Sequence, residues 1–393
     1  MGTKISQLGI NIEPRDIVTA LFPYLGDSRQ RFTMKLSEYL GSQYVYLVNS
    51  GTTALYLILN ALKRISLKRE VVIPAYTAPV VVLPIIKSGL KPVLCDISLR
   101  DFNMDIELLP GILGDQTLCI IPTHMFGVAV NGISRLRGAF GGVYIVEDCA
   151  QSLGSKLGET HLGKFSDIAF SSFNRGKNLP TYGGGCIFTD SKRLAGLLDE
   201  GVNKLKEQNA AYRFRLPFEL AAFAMAVRPF VFGSLYPLIS HFKDNRVPDD
   251  FVSARLTAFQ AGVGASLLER IERLSDARMR NAESLTNGLR GIERIIIPEI
   301  PPDVRYAINR LPVAFKDLKD KNNAIKTLNR AGIDTSVMYG RPIHHIFDLG
   351  CNKEDFKNAS YAAERILTLP THSLVQGKNI DDMVSAIKGV CSR

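Results

Sequence analysis

Seven short apolar runs threaded through residues 43–190 constrain this chain more than any other feature. They are QYVYLVNS (43–50), EVVIPA (70–75), KPVLCDI (91–97), TLCIIPTH (117–124), GGVYIVED (141–148), DIAFSSF (167–173) and GGCIFTD (184–190). Each is rich in β-branched or aromatic residues, and helical patterns fill the spaces between them. That alternation reads as an α/β fold: a mostly parallel seven-stranded sheet with helices packed on it. Several runs end on a polar residue, and in open α/β sheets a ligand lies beyond the carboxyl ends of the strands. Ser50, His124, Asp148 and Ser172 are therefore candidate neighbours around one site. With 393 residues, 46% of them hydrophobic, the chain can bury a large core.

Beyond residue 255 the pattern changes to a long helix, ending near Leu289, and then to an α+β stretch. IERIIIPEI and RLPVAFKD read as strands, NNAIKTLNRAG and NIDDMVSAIKGV as helices. Residues 1–254 thus form a large domain and 255–393 a long helix with a small C-terminal α+β domain. An insertion at about 201–254 interrupts the scheme. From Leu216 to Phe242 its only charges are Glu219 and Arg228, and Pro229, Gly233 and Pro237 split it. Neither half reaches the roughly 20 apolar residues that span a bilayer. Lys204, Lys206, Arg213 and Arg215 precede it, and Lys243 and Arg246 follow. Two readings stand: a helical insertion packed against its own domain or an oligomer partner, or peripheral contact of 216–242 with an anionic membrane.

A formal charge of +10 points to an anionic partner. The basic residues are dispersed, without the clustered stripe and interleaved aromatics of a nucleic-acid binder, so nucleic acid is not expected. The six cysteines have neither disulfide-framework nor metal-ligand spacing. They read as reduced thiols of a cytoplasmic protein, and the N-terminal residues carry no apolar signal. No histidine cluster has metal-ligand spacing either, so no catalytic metal is expected.

Three segments carry chemistry. In VNSGTTALYLILNAL (48–62) a strand ends at Ser50, Gly51 turns, and Thr52 opens a helix whose free N–H groups suit a phosphate; simple helix capping explains the same residues. In GGVYIVEDCAQSLGS (141–155) Asp148 closes a strand, where a carboxylate can hold a cofactor's pyridinium nitrogen or merely cap a helix, and Gln151 follows within reach of the ring's phenolic oxygen. In DIAFSSFNRGKNLPTYGGG (167–185) Lys177 lies in a loop after Ser172 and before three glycines. A lone loop lysine is ordinarily a solvated charge. The order of the three segments is what sets them apart.

That order resembles the DegT/StrS family of sugar aminotransferases, and the likeness runs from LSEYLGSQYVYLVNSGTTAL through VEDCAQSLGS and SFNRGKNLPTYGGG to ERILTLPTHSLV. The resemblance implies a fold-type-I pyridoxal 5'-phosphate enzyme. It makes Lys177 the Schiff-base lysine, Asp148 the partner of the pyridine nitrogen, Gln151 a neighbour of the 3′ oxygen, and Gly51, Thr52 and Ser172 the phosphate seat. It also implies a homodimer with shared active sites, glutamate as amino donor and a nucleotide-linked keto-sugar as acceptor. His124 and His344 fall at positions near the substrate, while His345 and His372 are structural.

The chain departs from the family in three places. Ala78 stands where a ring-stacking aromatic is usual, leaving Tyr76 to replace it. Ser253-Ala254-Arg255 stands in for Asn-Tyr-Arg, so Ser253 takes over the contact to the partner's phosphate. The apolar insertion is the third, and it admits a lipid-linked sugar as substrate. Two rival readings are a pyridoxamine-dependent sugar dehydratase, against which Lys177 argues because such members carry histidine there, and a non-catalytic membrane-attached scaffold.

Overall fold

The computed structural model describes residues 3–9, 12–22, 27–239, 247–300 and 304–392. The strands, in chain order, are β1 (Tyr44–Val48), β2 (Glu70–Pro74), β3 (Lys91–Cys95), β4 (Thr117–Ile120), β5 (Tyr144–Asp148), β6 (Lys156–Leu157), β7 (Thr160–His161), β8 (Ile168–Ser172), β9 (Gly185–Thr189), β10 (Ile295–Ile296), β11 (Val304–Arg305), β12 (Arg310–Phe315) and β13 (Ile366–Pro370). The helices are α1 (Pro14–Leu21), α2 (Ser28–Leu40), α3 (Gly51–Lys63), α4 (Val82–Lys87), α5 (Leu109–Ile112), α6 (Lys192–Asn203), α7 (Ala210–Ala226), α8 (Pro229–Ile239), α9 (Ala258–Leu268), α10 (Ile271–Leu289), α11 (Leu318–Arg330), α12 (Lys357–Arg365) and α13 (Gly377–Cys391).

All seven apolar runs become strands of one sheet, in the order β1-β9-β8-β5-β4-β2-β3. β3, β2, β4, β5 and β8 pair in parallel, whereas β9 runs antiparallel to both β8 and β1. Burial on both faces explains why the strands are apolar throughout rather than alternating. On one face α3 packs into a core with Leu55, Ile58, Ile73 and Ile187; on the other, α2 and α9 bury Phe32, Leu36 and Ala261 with Phe173 and Phe188.

A second sheet, β10-β12-β13, packs with α11 and α13 around Leu311, Phe315, Leu328, Leu367 and Ile387. The N-terminal residues join it in space: Ile5 bridges Ile333, and Gln7 Nε2 donates to the carbonyls of Asp334 and Thr368, each at 2.7 Å. A third, small sheet joins β11, β6 and β7.

The expected long helix is two helices. α9 ends at Leu268 and α10 begins at Ile271, with Arg270 between them at φ −118°, ψ 4°. The Arg270 guanidinium is buried and donates from Nη2 to Asp16 at 2.6 Å. A tertiary ion pair therefore coincides with the interruption of an otherwise continuous helical pattern. The apolar insertion breaks just before Pro229, one of the three residues expected to split it, and not at the other two. α7 and α8 meet at Val227–Arg228 with a bend of 89°, while Gly233 and Pro237 lie inside α8. Among the described residues no single helix is long and apolar enough to cross a membrane. Lys243 and Arg246 lie outside the described residues.

Candidate active site

A cavity of about 1160 Å³ opens at the carboxyl ends of the sheet strands. Gly51, Thr52, Asp148, Ser172 and Lys177 all line it, so residues spread over 127 positions of sequence converge on one space.

The phosphate-type turn is built by close approach. Ser50 caps α3, its Oγ accepting from the Thr53 N–H at 3.0 Å, which leaves the N–H groups of Gly51 and Thr52 as the helix's forward donors. A Cβ at Gly51 would lie 3.2 Å from the Ser172 Cβ, so glycine lets β8 bring its terminal hydroxyl against the helix start. Gly185 is tighter still: a Cβ there would stand 2.7 Å from both the Gly51 nitrogen and the Ser171 oxygen. A helix N-terminus with a serine hydroxyl beside it suits a phosphate.

Asp148 closes β5 and is only 3% exposed. Its backbone is pinned on both sides, the N–H donating to Pro122 O and the carbonyl accepting from His124 N. The side chain accepts from the Ala150 N–H at 2.9 Å. Burial raises its pKa, and the Ala150 N–H and the positive charge of Lys177 oppose that rise. A cationic partner at this carboxylate would hold it ionised.

Lys177 sits half-buried in the loop between β8 and β9. Asn178 anchors that loop, its Nδ2 donating to Leu153 O at 2.9 Å and Ala307 O at 2.8 Å. Desolvation pushes the Lys177 amine down to about 8; Asp148 pulls it up and Arg310 pushes it further down. Such an amine has the neutral fraction a carbonyl-attacking nucleophile needs. Phosphate seat, buried carboxylate and weakened amine together fit pyridoxal phosphate.

The other expected site residues lie outside the cavity lining. Gln151 is buried, its Oε1 accepting from Phe126 N at 3.2 Å and its Nε2 facing Met125 Sδ at 3.4 Å. Tyr76 is fully buried with its ring edge toward Tyr339, centroids 6.0 Å apart, while Ala78 is the residue on the cavity wall. Ser253 is half-buried in a segment stitched to Asn49, which donates to Val252 O and accepts from Ala254 N. His344 is turned inward, its Nε2 3.1 Å from Ser360 Oγ. His124 has both ring nitrogens engaged: Nε2 with Glu147 at 2.8 Å, and Nδ1 accepting from Val130 N at 3.1 Å.

His124, Glu147 and Cys149 have potential ligand atoms within 4.8 Å of one another. The Glu147 carboxylate already accepts from Gly163 N and Phe165 N, each at 2.9 Å. This is a satisfied buried network that locks the end of β5, and its donor set is already used.

Sequence reasoning passed over Arg175, Asn309, Arg310, Tyr339 and Arg341, which also line the cavity. Tyr339 and Arg341 stand a few residues before His344, in the segment YGRPIHH. The surplus of basic residues over Asp148 and Asp249 on the wall matches an anionic ligand.

Comparison with known proteins agrees with this geometry. The DegT/DnrJ/EryC1/StrS aminotransferase family matches residues 15–225 and 242–388. The spore coat polysaccharide biosynthesis protein SpsC of Bacillus subtilis is 25% identical, covering 93% of this chain and 90% of its own. A UDP-2-acetamido-2-deoxy-3-oxo-D-glucuronate aminotransferase of Pseudomonas aeruginosa is 23% identical over 92% of this chain and 90% of its own. A crystal structure of a DegT DnrJ EryC1 StrS aminotransferase from Brucella abortus shares the fold, with TM-score 0.75, 24% identity and 96% of each chain covered.

Proposed function

The chain belongs to the DegT/DnrJ/EryC1/StrS aminotransferase family, pyridoxal-phosphate enzymes acting on sugars, and we propose that it moves an amino group from glutamate to a nucleotide-linked keto-sugar. The observation that carries this reading is Lys177: an amine weakened by burial, in one cavity with a buried carboxylate and a helix N-terminus.

Bound pyridoxal phosphate supplies an electron sink that labilises a C–H bond beside the transferred nitrogen. In our assignment Asp148 keeps a proton on the ring nitrogen. Gly51, Thr52 and Ser172 would hold the cofactor's phosphate. Lys177 would hold the cofactor, and its Nζ, when free, would be the base that takes and returns the substrate's proton. At pH 7 an amine of pKa about 8 is neutral in roughly one molecule of ten, against fewer than one in a thousand for an ordinary lysine.

Gln151 and Ser253 remain in the proposal as residues approached by the cofactor in the assembled enzyme, His124, Tyr76 and His344 as supports of the substrate region. The homodimer is proposed from the resemblance. We also propose peripheral contact with an anionic membrane at the exposed α7–α8 surface. Its support is Phe214, Phe218, Met225 and Phe230, each between 65% and 76% exposed.

The reading is tested by reconstituting the protein with pyridoxal phosphate. A near-ultraviolet/visible band that is absent from Lys177→Ala, bleaches with glutamate and returns with a keto-sugar is the expected result. A sugar product that has lost water and gained no nitrogen would favour the dehydratase instead.

A further inference from the structure

Lys177 lies in the loop between β8 and β9, and the neck of that loop is drawn together at Phe173. The Phe173 carbonyl accepts from Thr181 N, and its N–H donates to Gly184 O, each at 2.8 Å. Between those two bonds stands Tyr182, at φ +65°. A bulky side chain occupies that left-handed region only when its surroundings hold it there. The Arg175 guanidinium lies 5.0 Å from the Tyr182 ring centre, and the Phe223 ring meets Tyr182 edge-on, with centroids 5.5 Å apart. Arg175 also stands 5.8 Å from the Phe223 ring, so the three side chains form one cluster. Arg175 and Tyr182 flank Lys177 in the loop, whereas Phe223 comes from α7, inside the apolar insertion.

A second contact reaches the same loop from the other end of α7. The Tyr212 hydroxyl is hydrogen-bonded to the Gln260 side chain, whose Nε2 donates to Thr181 O at 3.3 Å. A Cβ on Gly183, a residue of the cavity wall, would stand 3.6 Å from that hydroxyl. At 3.6 residues per turn, positions 212 and 223 fall within about 20° of each other around the helix. Phe214, Phe218 and Met225 lie on the opposite, exposed side. The insertion thus turns one edge to the lysine loop and the other to solvent.

We infer that α7 braces the lysine loop: Phe223 is a positioning residue that holds Tyr182, and through it the neck of the loop, so that Lys177 is presented to the cavity in one place. The contact calls for an aromatic ring, because both the edge-on packing on Tyr182 and the attraction to Arg175 use one. The inference gives the insertion a task that the transamination scheme leaves open, and it rests on the pyridoxal-phosphate reading only for its cofactor readout.

Two measurements test it. In hydrogen exchange on the full-length, cofactor-free chain, Phe223→Ala is expected to quicken the amides of residues 174–184 about tenfold or more while β4 and β5 keep wild-type rates. In titrations with pyridoxal phosphate, followed by the absorbance band, Phe223→Ala is expected to bind about tenfold more weakly, and Phe223→Tyr, which keeps the ring, like the wild type. Against a Tyr182→Gly background, where glycine takes the left-handed conformation without support, removing Phe223 should change that affinity by less than about threefold. Phe223→Leu keeps the apolar bulk without the ring and carries the same comparisons should the alanine variant not fold. Wild-type exchange in the loop, wild-type cofactor affinity, or an equal loss in both backgrounds overturns the inference. A wild type that gives no band with pyridoxal phosphate removes the cofactor reading itself, and the exchange experiment then decides the brace alone.

Discussion

Lys177 is a base that burial has weakened, and the sign of its effect on stability follows. Its folded pKa, about 8, lies below the ordinary 10.5, so between those values the unfolded chain binds more protons and stability rises with pH. The cofactor-free wild type is expected to gain melting temperature relative to Lys177→Met as pH goes from 8 to 10. A flat difference between the two curves would mean the amine is solvated. Gly185 offers a steric counterpart. The Gly183-Gly184-Gly185 run was legible in the sequence, but the demanding member was not, because its φ is ordinary and the obstacle is the backbone of Gly51 and Ser171 across a strand pair. Gly185→Ala should cost about 1–3 kcal/mol in urea unfolding, the usual range for overpacking, and weaken cofactor retention. Gly51→Ala meets only the Ser172 side chain at 3.2 Å and should cost less.

At the scale of elements, the seven sheet strands were readable because each is buried on both faces and so carries a continuous apolar run bounded by turns. The break between α9 and α10 was not, since Arg270 looks like any helical arginine until Asp16, far away in sequence, receives it. The insertion was legible as apolar but not as a surface. On α7, Leu216, Leu220 and Ala224 face inward, while Phe214, Phe218 and Met225 recur at helical spacing on the outside. Arg213 and Arg215 lie about 100° to either side of Phe214, the layout of a helix lying in an anionic interface. The family match also pauses between residues 225 and 242, the stretch that contains α8. Replacing Phe214, Phe218 and Met225 together by serine should change stability by no more than about 0.5 kcal/mol per site and leave turnover intact. It should abolish flotation with anionic liposomes in low salt. Loss of a dimer without any change in flotation would assign this surface to a second copy of the chain.

At the scale of the whole molecule, the cavity is assembled from both ends of the sequence. Asp148 and Lys177 reach it from the large sheet, whereas Arg310, Ser336, Tyr339 and Arg341 reach it from the C-terminal part. Asp148 could be read from a local pattern because it closes a strand, and Lys177, in a loop, through its order after Ser172 and before the glycine run. The C-terminal group could not, because its members enter the cavity only through how the small sheet docks. That docking is fastened by the N-terminal segment. Gln7 donates to Asp334 O and Thr368 O and accepts from the Thr368 hydroxyl at 3.2 Å, while His372 Nε2 meets Ser6 O at 2.7 Å. Asp334 and Ser336 flank the strand-like stretch that leads to Tyr339, so loosening Gln7 should disturb the C-terminal wall and spare the lysine loop. Gln7→Ala leaves two buried carbonyls without this donor and should cost about 2 kcal/mol, within the range for unmet buried hydrogen bonds. Hydrogen exchange should quicken in β13 and residues 333–339 while β5 and β8 stay protected. The absorbance of bound cofactor should persist, since Lys177 and Asp148 lie on the side that stays protected. Equal deprotection of both sheets would show instead that the molecule opens as one unit.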